Sequence, residues 1–218
     1  MMKISENKPI LSVETSGELC SAAVYFNDSK YTEINLMLKH VHSEKLLDVV
    51  DDVLKSAGVL LKEVQAVAVS SGPGSFTGLR IGMSAVKGLA IGGGLPIISV
   101  PTFEALAFQA SAYLPEGSKF IVANKVNIEE LYYAKFLSTK DGYQFIEPLQ
   151  VIYKGDLDEK LSDGSVAFGN AVKNADKMPV SSPSASLIAK WAYLFGKDLL
   201  TYDFDFLEPA YLKNFIIR

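Results

Sequence analysis

An α/β protein of two related lobes, each with a mixed sheet flanked by helices, is the fold class this chain predicts. Three observations carry it. A strand–turn–strand–strand order followed by helices occurs twice in 218 residues. Each copy joins an antiparallel opening to a later strand separated by a helix or long crossover, which a plain doubly wound parallel sheet does not do. Composition is 49% hydrophobic and 21% charged, enough to give each lobe its own core.

The first copy opens with Ile10-Leu11-Ser12-Val13-Glu14 as a strand, Thr15 to Glu18 as a turn and Cys20 to Phe26 as the returning strand. Asn27-Asp28-Ser29 is a turn cluster, and Lys30 to Lys39 reads as a third strand. A helix follows from Ser43 to Ala57, with Leu46, Val49, Val50, Val53, Leu54 and Ala57 on one face and Gly58 as its stop. Val64 to Val69 is an apolar strand leading into a glycine-rich run and a second helix. Pro96 to Val100 is a further strand, and Thr102 starts a helix through Tyr113.

Phe120-Ile121-Val122-Ala123 begins the pattern again, with a turn at Asn124 to Glu129 and a returning strand Leu131 to Leu137. Asp141-Gly142 is a hairpin signal before Tyr143 to Ile146. Val166 to Asn170 is a short strand ending at glycine, and Ser184 to Phe195 is a helix with Leu187, Ile188, Trp191, Leu194 and Phe195 at helical spacing. A duplicated lobe of this kind describes the actin, Hsp70 and sugar-kinase architecture. The expected division is residues 1–101 as the N-terminal lobe, 102–200 as a more degenerate second lobe, and 201–218 packing back on the first.

Net charge is −4, so no broad basic surface advertises nucleic-acid binding. Cys20 is the only cysteine, which rules out an intramolecular disulfide and reads as a buried structural thiol among Ala22, Ala23 and Val24. The polar N-terminus lacks the apolar core of a signal peptide, and no apolar run reaches the roughly 18 residues of a bilayer span. A soluble, cytoplasmic protein is expected.

The most informative stretch is Ser70-Ser71-Gly72-Pro73-Gly74-Ser75-Phe76-Thr77-Gly78-Leu79-Arg80-Ile81-Gly82. A tight turn at a helix N-terminus offers unpaired N–H donors and partial positive charge, which suits a phosphate. Yet Gly78 is followed by Leu79 and Arg80 rather than the lysine and hydroxyl of a P-loop. The third glycine of the dinucleotide fingerprint is Thr77 here. The competing reading is packing: Gly78, Gly82 and Ala85 line one helix face and let another backbone approach closely. Glu14, Thr15 and Ser16 at the first turn are the companion candidates for a nucleotide or phosphate, with Glu14 able to hold Mg²⁺ through water. Their plain alternative is a turn stabilised by its own hydroxyls.

His40 and His42 are the only histidines, and no third ligand stands in register on the following helix, where Leu46 occupies the fourth position after His42. A zinc site needs at least three protein ligands, so no metal is assigned. No Gly-x-Ser-x-Gly elbow is present, and no catalytic residue is assigned. Tyr202 to Glu208 alternates acidic and aromatic residues and reads as a surface segment.

Ile10-Leu11-Ser12-Val13-Glu14-Thr15-Ser16, His42-Ser43, the Ser71–Gly82 run and Glu208-Pro209-Ala210-Tyr211-Leu212-Lys213-Asn214 together resemble the TsaB (YeaZ) family, and Glu130-Leu131-Tyr132 extends the match into the second lobe. The resemblance implies an actin/Hsp70-like (ASKHA) fold and a role in making threonylcarbamoyladenosine on tRNA. It implies a non-catalytic subunit partnered with the catalytic paralogue TsaD, with a TsaE-type ATPase in the same assembly and tRNA met indirectly through the complex. The chain alone is then a homodimer, no cofactor is assigned to it, and ATP or ADP is a candidate at the level of the complex. TsaD carries a His-x-x-x-His metal motif where this chain has His42 and Leu46. The second lobe has Lys125-Val126-Asn127 where the family usually has Asp-Ala-Arg.

The family's dimer surface carries over to the helices at 43–57 and 76–90. The candidate interface residues are Leu46 and Val50 on the first and Gly72, Pro73, Gly74, Ser75, Phe76, Thr77, Gly78, Arg80, Gly82 and Ala85 at the start of the second. On this reading Gly82→Leu weakens association and leaves the monomer folded. The alternatives are an actin-fold ATPase or kinase using Glu14 and the glycine loop, and, more remotely, a glycoprotease-type metallopeptidase.

Overall fold

In this computed structural model, residues 5, 7–37, 42–172 and 180–212 are described, so His40, Lys213 and Asn214 lie outside the described residues. The chain forms two units: residues 1–102 with 183–210, and 103–182 with 211–218.

The first unit is built on a six-stranded sheet. Ile10–Glu14 (β1), Cys20–Asn27 (β2) and Lys30–Leu36 (β3) form an antiparallel meander joined by the Thr15–Leu19 and Asp28–Ser29 turns. Helix α1 (His42–Ala57) then crosses over, and β4 (Ala66–Gly72) pairs parallel to β1 with Ile10 opposite Ala66 and Val13 opposite Val69. Helix α2 (Phe76–Gly93) precedes β5 (Ile97–Pro101), again parallel to its neighbour. A short β10 (Leu200–Thr201) closes the far edge, giving the order β10-β5-β4-β1-β2-β3. This is the actin-like lobe.

Alternation explains how these strands bury both faces. Leu11, Val13, Val67, Val69 and Ile97 point to the side covered by α1 and α2, where Leu46, Val49, Val50, Val53, Met83, Val86 and Ala90 meet them in one core. On the opposite side Ser12, Ala23 and Ala68 are buried and small, among larger buried neighbours such as Ile10 and Ile98, and α5 (Ala185–Phe195) packs on that side of the sheet. Ser12 Oγ donates to Ala185 O at 2.6 Å, and Glu33 on β3 accepts from Ser186 N and Ser186 Oγ, both at 3.0 Å. A carboxylate at the positive end of a helix satisfies a donor that lacks an intrahelical partner. Glu33→Ala is expected to cost about 1 kcal/mol by urea denaturation, with Glu33→Gln intermediate.

Helix α5 therefore belongs to the first unit, whereas the sequence reading placed residues 102–200 together in the second lobe. The contacts that recruit it are 173 residues apart in the chain, beyond the reach of any local pattern.

The second unit repeats the opening of the first. Lys119–Lys125 (β6) and Glu130–Thr139 (β7) are antiparallel, and Gly142–Tyr153 (β8) returns on β7 across a two-residue loop. Gly142 has φ +133, a conformation that L side chains rarely adopt. Val166–Phe168 (β9) pairs parallel to β6, as β4 pairs to β1, and the order is β8-β7-β6-β9. Helix α3 (Thr102–Ser111) contributes Phe103, Leu106 and Ala107 to one face with Phe120, Tyr132 and Phe136, while α4 (Leu157–Lys160) covers Ile121 and Tyr133 on the other. Strand β8 is longer than the expected Tyr143–Ile146 because its pairing with β7 continues through irregularities at Tyr133–Phe136.

The Lys125-Val126-Asn127 segment forms the tight β6–β7 turn. Asn127 Oδ1 accepts from Glu129 N and Glu130 N at 2.9 Å, and its Nδ2 donates to Glu130 Oε2 at 2.6 Å.

Candidate functional site

The glycine-rich run and the first turn come together in the structure, and they do so by packing on each other. Strand β1 ends at Glu14, its parallel neighbour β4 ends at Gly72, and α2 starts after three intervening residues. Parallel strands place their C-terminal ends side by side, so the Thr15–Leu19 turn and the Gly72–Ser75 loop share one edge. Ser75 N donates to Ser16 O at 2.7 Å, and Thr15 Oγ1 donates to Gly78 O at 2.8 Å. A Cβ on Gly74 would stand 2.5 Å from Ser16 O. One on Gly78 would overlap Thr15 O, and one on Gly82 would overlap Thr15 Oγ1.

The α2 N-terminus is likewise occupied from within. Ser75 is the N-cap, its Oγ accepting from Gly78 N at 3.2 Å and its carbonyl from Leu79 N at 2.9 Å. Gly72, with φ +111, donates its N–H to Thr102 Oγ1 at 2.9 Å, and Ala210 N closes the far side of the loop on Ser71 O at 2.7 Å. Ser75 N and Gly78 N, two donors that a phosphate could take, are spent on the chain itself.

Glu14 lies beneath this contact, 0% exposed. Ser16 N and Ser16 Oγ both donate to Oε1 at 2.5 Å, whereas Oε2 has no partner. One step along the β1–β4 register, the Ser70 hydroxyl is also buried, with no well-formed hydrogen bond. Burial away from water raises the Glu14 pKa to about 7, against the opposing pull of donors at Ser16, Ser70 and Gly17. The expectation of a Mg²⁺ or phosphate ligand at Glu14, Thr15 and Ser16 meets a different arrangement: Glu14 is sealed from solvent, Thr15 is 0% exposed, and the turn is covered by α2. Sequence reasoning missed this because hydroxyl neighbours look the same in an open turn and in a covered one.

The interface candidates divide sharply. Leu46 and Val50 are 2% and 3% exposed and lie in the core under α1, so they are corrected from surface to interior. Gly78 and Gly82 face Thr15 of the same chain, which corrects the idea that they admit a partner's helix, and Gly82→Leu then disrupts the monomer itself. Gly72 and Pro73 are buried, Gly74 is half-buried against Ser16, and Ala85 leans on the core. What remains outward is Ser75, Phe76, Thr77 and Arg80, with the Arg80 guanidinium 3.8 Å from the centre of the Phe76 ring. The structure adds Leu47 on α1 and Ile91 on α2, 59% and 66% exposed. A helical wheel that marks a core stripe draws the eye away from a single apolar residue on the wet face.

His42 Nε2 lies 3.1 Å from Leu19 O and ties the start of α1 to the first turn. Among the described residues no group of three His, Cys, Asp or Glu side chains could hold a metal ion. Cys20 is buried, its thiol pushed up by burial and by Glu14. The second unit's polar cluster is saturated internally: Lys135 Nζ donates to Asp163 at 2.8 Å, and Tyr133 OH and Lys160 Nζ both donate to Glu147. Among the described residues no helix is long and apolar enough to cross a membrane.

Fold and site thus define a class: an actin-like protein whose first turn is packed against its own glycine loop. A family model described as TsaD, tRNA N6-adenosine threonylcarbamoyltransferase, matches residues 37–204. The tRNA threonylcarbamoyladenosine biosynthesis protein TsaB of Escherichia coli is 32% identical over 94% of each chain, and that of Haemophilus influenzae is 29% identical over 96% of this chain and 95% of its own. A crystal structure from Pseudomonas aeruginosa, of a protein with similarity to peptidase YeaZ, superposes with a TM-score of 0.77 at 25% identity, over 94% of this chain and all of that one. The chain belongs to the TsaB (YeaZ) family.

Proposed function

We propose that this protein is a non-catalytic subunit of the assembly that forms threonylcarbamoyladenosine in tRNA, working in the cytoplasm with a TsaD-like catalytic paralogue. The observation that supports the non-catalytic part is the Ser75–Ser16 and Thr15–Gly78 contact, which closes the first turn with the chain's own glycine loop. The subunit's contribution is a surface. Its outward residues on α1 and α2 – Leu47, Phe76, Arg80 and Ile91 – are large and lie on rigid helices, the kind of anchor that dominates interface energetics. With net charge −4, the tRNA is met chiefly through the partners, which include a TsaE-like ATPase, and the same helices pair two copies of the chain when TsaD is absent.

The test is reconstitution of threonylcarbamoyl transfer to tRNA with purified TsaD-like protein, with and without this chain. Transfer is expected to depend on the chain, and the chain alone is expected to turn over no nucleotide. Leu47→Glu combined with Ile91→Glu is expected to weaken association about tenfold without lowering the melting temperature. Rapid ATP turnover by the isolated chain, lost in Glu14→Gln, reverses the assignment in favour of an actin-fold ATPase or kinase.

A further inference from the structure

Residues 202–209 form a strap fixed at both ends. Upstream, β10 pairs with β5, Leu200 opposite Ile98 and Thr201 opposite Ile97. Downstream, Ala210 N donates to Ser71 O at 2.7 Å. Within the strap, Asp203 N donates to Thr201 Oγ1, Phe204 N to Tyr202 O and Leu207 N to Phe204 O, at 2.9 to 3.2 Å. Phe204 and Leu207 pack down on the core that α1 and α2 also cover. Phe206, held between them, is 84% exposed, and Tyr202 is 51% exposed.

This is an unusual use of a phenylalanine. Burying such a ring is favourable, and the strap's own packing leaves it in water. A ring projected from a segment tied at both ends loses little conformational freedom on binding, which favours an anchor role. The surrounding charge selects the partner. Asp203, Asp205 and Glu208 are all exposed, and among the described residues none of them is in an ion pair. Nucleic-acid phosphates and anionic lipid are repelled by such a rim. A second copy meeting strap to strap sets carboxylates against carboxylates. A protein with an apolar pocket rimmed by lysine and arginine complements both the ring and the charges.

We infer that the 202–209 strap is a docking surface on which Phe206 inserts into a basic-rimmed apolar pocket of another protein of the assembly. It extends the α1–α2 face along the same layer of the first unit, and it rests on the partner-subunit reading above. The experiment measures binding of the full chain to purified TsaD-like protein and, separately, to the purified ATPase, at about 50 mM and about 300 mM salt. Phe206→Ser is expected to weaken binding to one of the two about tenfold with an unchanged melting temperature. Asp203→Asn with Asp205→Asn is expected to flatten the salt dependence of that same binding. Benzoylphenylalanine at position 206 is expected to cross-link to that protein.

Unchanged affinity for both proteins in Phe206→Ser, or cross-linking only to tRNA or to a second copy, overturns the proposal. Loss of binding in the Leu47 and Ile91 variant but not in Phe206→Ser removes the strap and leaves the partner reading standing. Wild-type chain that binds neither protein removes both.

Discussion

Gly78→Ala is expected to destabilise the first unit by about 3 kcal/mol, lowering the melting temperature by about 10 °C, although it adds one methyl group to a helix. On propensity alone the change favours the helix by up to about 1 kcal/mol. The added Cβ overlaps the carbonyl oxygen of Thr15, a backbone atom held in the first turn, so no side-chain rotation relieves it. Gly88→Ala in the same helix is the control. Its Cβ meets no heavy atom within 4 Å, and the substitution is expected to stabilise by about 0.5–1 kcal/mol. A third site separates backbone from side-chain clashes. At Gly82 the obstacle is Thr15 Oγ1, so Thr15→Ala is expected to rescue Gly82→Ala in part and Gly78→Ala not at all. Thermal melts of the four single variants and two doubles check the set. Equal tolerance of Ala at 78 and 88 would mean that α2 does not rest on the first turn.

The same residues show how far a sequence can be read. The repeat of strand, turn and returning strand is visible because turn chemistry is local, as at Asp141-Gly142, where the chain leaves a two-residue loop through a glycine at positive φ. The small-residue spacing of Gly78, Gly82 and Ala85 is visible too, but a face made for close approach is written identically whether the approaching backbone is the chain's own or a partner's. Thr15 lies 63 residues from Gly78, and only the β1–β4 pairing brings them together. Burial of α5 against Ser12 is still less local. On α1 the hydrophobic period put Leu46 and Val50 on one face, but it does not say whether a partner or the chain's own core covers that face, and here it is the core. The outward residue Leu47 had no pattern to announce it.

Stability of the first unit is expected to fall as pH rises from about 4.5 to about 7, and Glu14→Gln is expected to abolish that dependence. The sign follows from proton uptake. In the unfolded chain Glu14 titrates near its ordinary value of 4.5, whereas in the folded protein it holds its proton up to about 7. Between those values the native state binds more protons than the unfolded one, so raising the pH favours unfolding. Below the window both states are protonated and the residue is neutral in effect; above it the native state carries a buried charge with one unpartnered oxygen. The interval corresponds to about 3 kcal/mol for one proton, at about 1.36 kcal/mol per pH unit. Glutamine keeps an acceptor for Ser16 N and Ser16 Oγ, and its amide can donate towards Ser70 Oγ, which has no well-formed hydrogen bond in the wild type. Glu14→Gln is therefore expected to be more stable than wild type at pH above 7 and close to it at pH below 4.5, by urea denaturation across the range. Parallel pH profiles for the two proteins would place the Glu14 carboxylate in contact with water and reopen the first turn to a charged ligand. A stabilised, pH-flat Glu14→Gln that still supports threonylcarbamoyl transfer would separate the carboxylate from the activity of the assembly, which is the behaviour of a subunit that presents a surface and performs no chemistry.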